Sequence, residues 1–130
     1  MFKTASAAGW VVAAAVSGAL SVLIGAFAAH GLDPLADAKA IGWLHTGSLY
    51  AAMHALAITA VVALASVDRI GGRPALFSQW FFLVGSAVFP GALYGLALHG
   101  PRWLGAIAPI GGAAFVAGWV SLGVAAWVRR

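Results

Sequence analysis

Cysteine is absent from these 130 residues and charge is scarce, with three aspartates as the only acidic residues and seven Lys or Arg. Without cysteine there is no disulfide, no thiolate nucleophile and no Cys-ligated zinc or iron–sulfur centre. With only 8% charged residues, 63% hydrophobic residues and a mean hydropathy of +1.00, a water-soluble fold is excluded. The charges are Lys3, Asp33, Asp37, Lys39, Asp68, Arg69, Arg73, Arg102, Arg129 and Arg130, and the runs between them carry none. A net charge of +4 dispersed in this way forms no phosphate-binding face, so no nucleic-acid partner is expected. Catalytic residues are not found either. No carboxylate pair lies within an apolar run, no activated nucleophile is visible, and no phosphate-binding loop follows a strand.

What is present is four long apolar runs. A bilayer core about 30 Å thick needs roughly 20 apolar residues in a helix. Runs of that order extend from about Ser6 to Ala29, Trp43 to Ser66, Leu76 to Leu98 and Leu104 to Val128. Short connections rich in glycine, proline and charge separate them: Gly31 to Lys39, Asp68 to Pro74, and His99 to Arg102. Short connections force neighbouring helices to run antiparallel. The expectation is an all-α integral membrane protein, a single up-down four-helix bundle over 1–130. The first run exceeds the roughly 7 to 15 apolar residues of a secretory signal, so it is expected to be a mature helix. Five basic residues, Lys3, Arg69, Arg73, Arg129 and Arg130, fall on one side against Lys39 and Arg102 on the other. Basic residues favour the cytoplasmic side, so both termini are expected in the cytoplasm, in a bacterial inner membrane. Trp10, Trp43, Trp80, Trp103 and Trp127 lie near predicted span ends, where an indole buries its ring and keeps its N–H wet.

Membrane helices associate by close backbone approach, which small residues permit. Ser17, Ser21, Gly25 and Ala29 recur every four residues in the first span, Gly91 and Gly95 form a pair in the third, and Gly111, Gly112 and Gly118 punctuate the fourth. Pro90 disturbs the third span, because proline removes a backbone bond and crowds the preceding turn. Pro109-Ile110-Gly111-Gly112 predicts a kink or break in the fourth.

Polar side chains cluster toward the outer boundary. His30, His45 and His99 mark span ends, while His54, eleven residues beyond Trp43, lies roughly 16 Å into the membrane. Tyr50 is one turn outward on the same face, and Tyr94 is just inside the outer end of the third span. The inner half offers no group read as comparable. A small outward-facing pocket is therefore expected, with a neutral His54 as its floor, Tyr50 and Tyr94 on its walls and His30 at its mouth. The histidines are not spaced i, i+4 and have no intramembrane carboxylate beside them, so no metal site and no cofactor are expected.

In their order along the chain, Gly25-Ala26-Phe27-Ala28-Ala29-His30-Gly31, Tyr50 with His54-Ala55, Phe89 and Gly91 with Leu93-Tyr94, and Pro109-Ile110-Gly111-Gly112 with Gly118-Trp119 resemble a family of small four-helix membrane proteins catalogued as domain of unknown function 423. The resemblance covers essentially the whole chain. It implies the fold and the membrane location and carries no settled activity. Ala28 replaces a glycine usual in the family, and Pro90, Ala92 and Ala108 stand where relatives tend to have hydroxyl residues. His30, Tyr50, His54 and Tyr94 match motif positions, whereas His45 and His99 do not.

The function expected is a non-enzymatic structural or accessory membrane component, surrounded by lipid and associated as a homo-oligomer or within a larger complex. An oligomeric small transporter or channel, and a binding protein for a lipid, quinone, haem or metal ion, are the alternatives. A permeation path would need polar positions that continue into the inner half.

Overall fold

The computed structural model describes residues 4–129 and contains four α-helices: α1 (Thr4–His30), α2 (Ala38–Ser66), α3 (Gly72–Ala97) and α4 (Leu104–Trp127). All four are long and apolar enough to cross a membrane. Lys3 and Arg130, which enter the basic count, lie outside the described residues.

α2 and α3 begin a full turn or more before the apolar runs do. α2 starts at Ala38, five residues before Trp43, because the Gly31–Asp37 connection closes on itself. Asp33 Oδ1 accepts the Leu35 N–H at 2.9 Å, and Asp37 Oδ2 accepts the Asp33 N–H at 3.1 Å. Lys39 then snorkels along the first turn, its ammonium 5.1 Å from the Trp43 ring centre. α3 starts at Gly72, so Pro74 sits inside the first helical turn, where a missing N–H leaves no helix bond unmade. Proline read as an end of structure is here the beginning of it. Gly72 itself has φ +70°, which favours glycine at this turn.

The helices pack in chain order. α1 lies on α2, α2 on α3 and α3 on α4, the last being the most extensive interface; α1 meets α3 only narrowly and shares no extended interface with α4. The helices thus stand in chain order with α1 at one flank, and α4 reaches α2 through side chains, above all those around His54. All three hairpins are antiparallel. Gly25 faces Ser48 while Gly18 faces Ala55, Tyr94 lies on Gly47 while Gln79 bonds the Ile58 carbonyl, and Gly95 faces Leu104 while Gly118 faces Phe82. The loop end carries the α1–α2 and α3–α4 connections, and the terminal end carries both termini and the α2–α3 turn. At that turn Arg129 of α4's C-terminus bonds the Asp68 carboxylate at 2.8 Å. Both partners are well exposed, and this pair contributes little to stability.

The inward stripe of α1 is Trp10, Ala14, Ser21 and Ala28, at spacings of four and seven that keep one seam against a neighbour. Its other faces present Val12, Val16, Val22 and Leu23 outward, as lipid contact requires. α4 runs unbroken through Pro109 and Gly111-Gly112, so the helix break considered for that segment is not realised. The glycines there serve close approach instead: a Cβ on Gly111 would strike the Phe89 backbone of α3. Such packing holds the helix together across a proline, since in a protein-buried setting neighbouring groups can compensate the freed carbonyl.

Candidate functional site

The centre of the α2–α3–α4 core is built by rings seated on glycines. Phe82 of α3 lies over Gly118 of α4 and Phe115 of α4 lies over Gly85 of α3, while the Phe89 backbone presses on Gly111. A Cβ on Gly85 or Gly118 would come within 2.5 Å of the facing ring, so no side chain fits at either position without displacing it. Phe82 and Phe115 are buried by this arrangement, and they leave between them a slot into which α2 inserts His54.

His54 is 2% exposed. Its ring lies flat on Phe115, with centroids 3.5 Å apart and planes 10° from parallel, and Phe82 and Trp119 close two more sides at 5.5 and 6.0 Å. Nδ1 is 2.7 Å from the Tyr50 carbonyl, and Trp119 Nε1 is 3.1 Å from Nε2. A carbonyl can only accept, so Nδ1 carries a hydrogen; an indole N–H can only donate, so Nε2 does not. Together the two bonds define a neutral imidazole in its Nδ1–H form, with both nitrogens engaged inside the protein. Chemically the arrangement orients α4 against α2. It leaves no ring nitrogen of His54 available to a metal or a substrate.

The structure brings His54 and Tyr50 together but through the Tyr50 backbone; the two rings lie 6.2 Å apart, nearly parallel, and the Tyr50 ring packs on Phe89 at 5.0 Å. Tyr94 is placed elsewhere, on Gly47 of α2, with its hydroxyl toward Ser48 but forming no well-aligned bond there, and it does not meet His54. His30 is exposed at the loop end of α1, whereas His54 is sixteen residues below α2's first residue, about 24 Å along the axis. Among the described residues no three His, Asp or Glu side chains come close enough to hold a metal ion.

Of the small residues read as packing sites, Ser21 is buried and bonds the Gly18 carbonyl at 2.7 Å; a Cβ on Gly25 would sit 3.7 Å from Ser48; Ser17 is half-buried. Gly95 is pressed by Leu104, Gly111 by Phe89 and Gly118 by Phe82, while Gly112 only grazes Phe89. Gly91 is different. It faces outward with nothing near the place a Cβ would take.

Trp119, Phe115 and Gly85 were missed by sequence reasoning, although one signal for Trp119 was present. It is the one tryptophan of six that falls mid-span rather than at a boundary. Gln79 was also missed. It lies in the terminal half of α3, fully buried, and donates from Nε2 to the Ile58 carbonyl at 3.2 Å. The half of the membrane read as lacking a polar group therefore contains one, beside the equally buried Ser78.

The family model described as "Protein of unknown function (DUF423)" matches residues 24–112. A UPF0382 membrane protein of Haemophilus influenzae is 43% identical over 83% of this chain and 85% of its own length. The UPF0382 inner membrane protein YgdD of Escherichia coli K12 is 39% identical over 89% of this chain and 87% of its own, and the UPF0382 membrane protein YwdK of Bacillus subtilis is 36% identical over 90% and 94%. No solved structure matches the chain. With the family model covering well over half the residues and four membrane-length helices beneath it, the chain belongs to the DUF423 family of membrane proteins.

Proposed function

We propose that the chain is a non-enzymatic accessory component of an inner-membrane assembly, with both termini in the cytoplasm. The state of His54 carries this reading. The one histidine buried deep in a span is tied on both nitrogens and enclosed by rings, so the side chain best suited to proton or ligand chemistry serves to hold helices together. The open flank of α1 supports an associating role, since that helix has one extended neighbour within the chain and presents Val12, Val16 and Leu23 outward. The basic count supports the orientation. The test is capture of the chain, at native expression, from membranes solubilised in mild detergent. The expected result is a second copy or a membrane partner in fixed ratio, lost in Val16→Trp while the helices stay folded. A bare monomer at native expression overturns the proposal.

A second reading, an oligomeric small transporter or channel, draws on one observation: Gln79 extends polar positions into the terminal half. Solute flux in proteoliposomes that exceeds protein-free vesicles would favour it.

A further inference from the structure

Five buried polar atoms have no hydrogen-bond partner among the described residues: Ser48 Oγ, Ser78 Oγ, Gln79 Oε1, Ser86 Oγ and the Tyr94 hydroxyl. Four of them fall on one seam. Gln79 reaches α2 at Ile58 and Tyr94 reaches α2 at Gly47, so these two contacts fix which face of α3 looks at α2. Ser86 is seven residues from Gln79, two helical turns, and therefore lies on that same face between the contacts. Pro90 lies there too. Having no N–H, it leaves the Ser86 carbonyl, four residues back, without its helix bond. Ser48, next to Gly47 on α2, stands between Gly25 of α1 and the Tyr94 side chain of α3.

From Gln79 to Tyr94 is fifteen residues, about 22 Å of helix and most of a bilayer core. Along it stand a carboxamide oxygen, a serine hydroxyl with a free carbonyl, and a phenol with a second serine. Facing this stretch, between Gly47 and Ile58, α2 offers the small methyl of Ala51 and, beside it, the His54 ring, which stacks on Phe115 and is bonded to Trp119 of α4. Below Gln79 the seam is apolar, closed by Val61, Ile70 and Ala75, all buried.

We infer that the α2–α3 seam holds a file of water molecules, bound at Gln79, at Ser86 and between Ser48 and Tyr94, entering from the loop end and stopping at the Val61–Ile70–Ala75 floor. Buried polar groups are as a rule paired with protein or with water, and here the groups are on one line. None of the four side chains is charged. Two free acceptors together with three hydroxyls suit a ligand that both donates and accepts and bears no charge, which describes water and not an ion. The polar pocket of this protein is thus lined by α2 and α3 and floored below Gln79, with His54 turned away toward α4.

Gln79 is the only glutamine, and the chain contains no asparagine, so glutamine labelled with nitrogen-15 in the side chain yields a single carboxamide signal. In nanodiscs its protons are expected to show direct cross-relaxation with water; cross-relaxation with lipid alone overturns the inference. The absence of cysteine permits a second measurement. Ser86→Cys, close to isosteric, is expected to react with a small water-soluble methanethiosulfonate roughly tenfold or more faster than Val84→Cys on the lipid face or Val61→Cys in the floor, because the thiolate that reacts forms only where water reaches. Equal rates at the three positions overturn the seam. If Ser86→Cys does not fold, the Gln79 signal of the unaltered chain decides alone.

Discussion

His54 shows how one residue can be read correctly for depth and still be given the wrong neighbours by its sequence. Its distance from Trp43 places it near mid-membrane, and that depth follows from helical rise alone. One bonding partner, the Tyr50 carbonyl, is local, but the other, Trp119, lies on α4, sixty-five residues away, and no spacing rule reaches that far. Trp119 was nonetheless marked by its position away from the membrane boundary, where an indole N–H needs a protein acceptor. Interhelical hydrogen bonds in membranes are worth about 0.6 kcal/mol on average, and a stacked ring pair adds about 0.5 to 1.5 kcal/mol. His54→Phe, which keeps the ring and loses both bonds, is therefore expected to cost about 1 kcal/mol, as is Trp119→Phe. Measured by steric trapping in bicelles, the double variant should cost less than the two singles together by about 0.6 kcal/mol. Strict additivity would mean that the bond contributes nothing. His54→Gln, which retains an acceptor for Trp119, should be milder than His54→Leu by the same measurement.

Among the elements, the four spans were legible because an apolar run of bilayer length has few other uses, but their ends were not. Pro74 and Gly71-Gly72 are breakers by composition, and only the first-turn position of Pro74 makes it compatible with helix. The reverse holds for Gly111-Gly112, where a flexible pair beside Pro109 is held helical by the backbone of α3 pressing on it. Glycines that face a ring and glycines that face lipid look the same in sequence, yet they differ in consequence. Gly85→Val and Gly118→Val each force a facing phenylalanine out of place and should each destabilise the α3–α4 pair by about 1 to 3 kcal/mol, read as a lowered midpoint in detergent unfolding. Gly91→Leu should leave that midpoint unchanged or raise it slightly, because its position is open and leucine is the better helix former. A large loss from Gly91→Leu would show that the outward face of α3 is not free.

For the whole molecule, the orientation can be checked with single cysteines in a chain that naturally has none. At Lys39 and Arg102 a membrane-impermeant maleimide should label from outside intact cells, and at Arg73 it should label only after the membrane is opened; the reverse pattern would invert the bundle. Flanking placement of α1 was beyond the sequence, since its small-residue stripe says that it packs and not on how many helices. Each later helix packs against the one made before it, and this gives the order of synthesis a consequence. Of the four helices α1 is made first, and it is the most apolar of them. α3, which carries Gln79, Ser78 and Ser86, is the least apolar, and it emerges when α2 is already in place to take its polar face. A chain threaded in sequence thus gives its most polar span a waiting companion, so that the helix least suited to lipid never has to wait there alone.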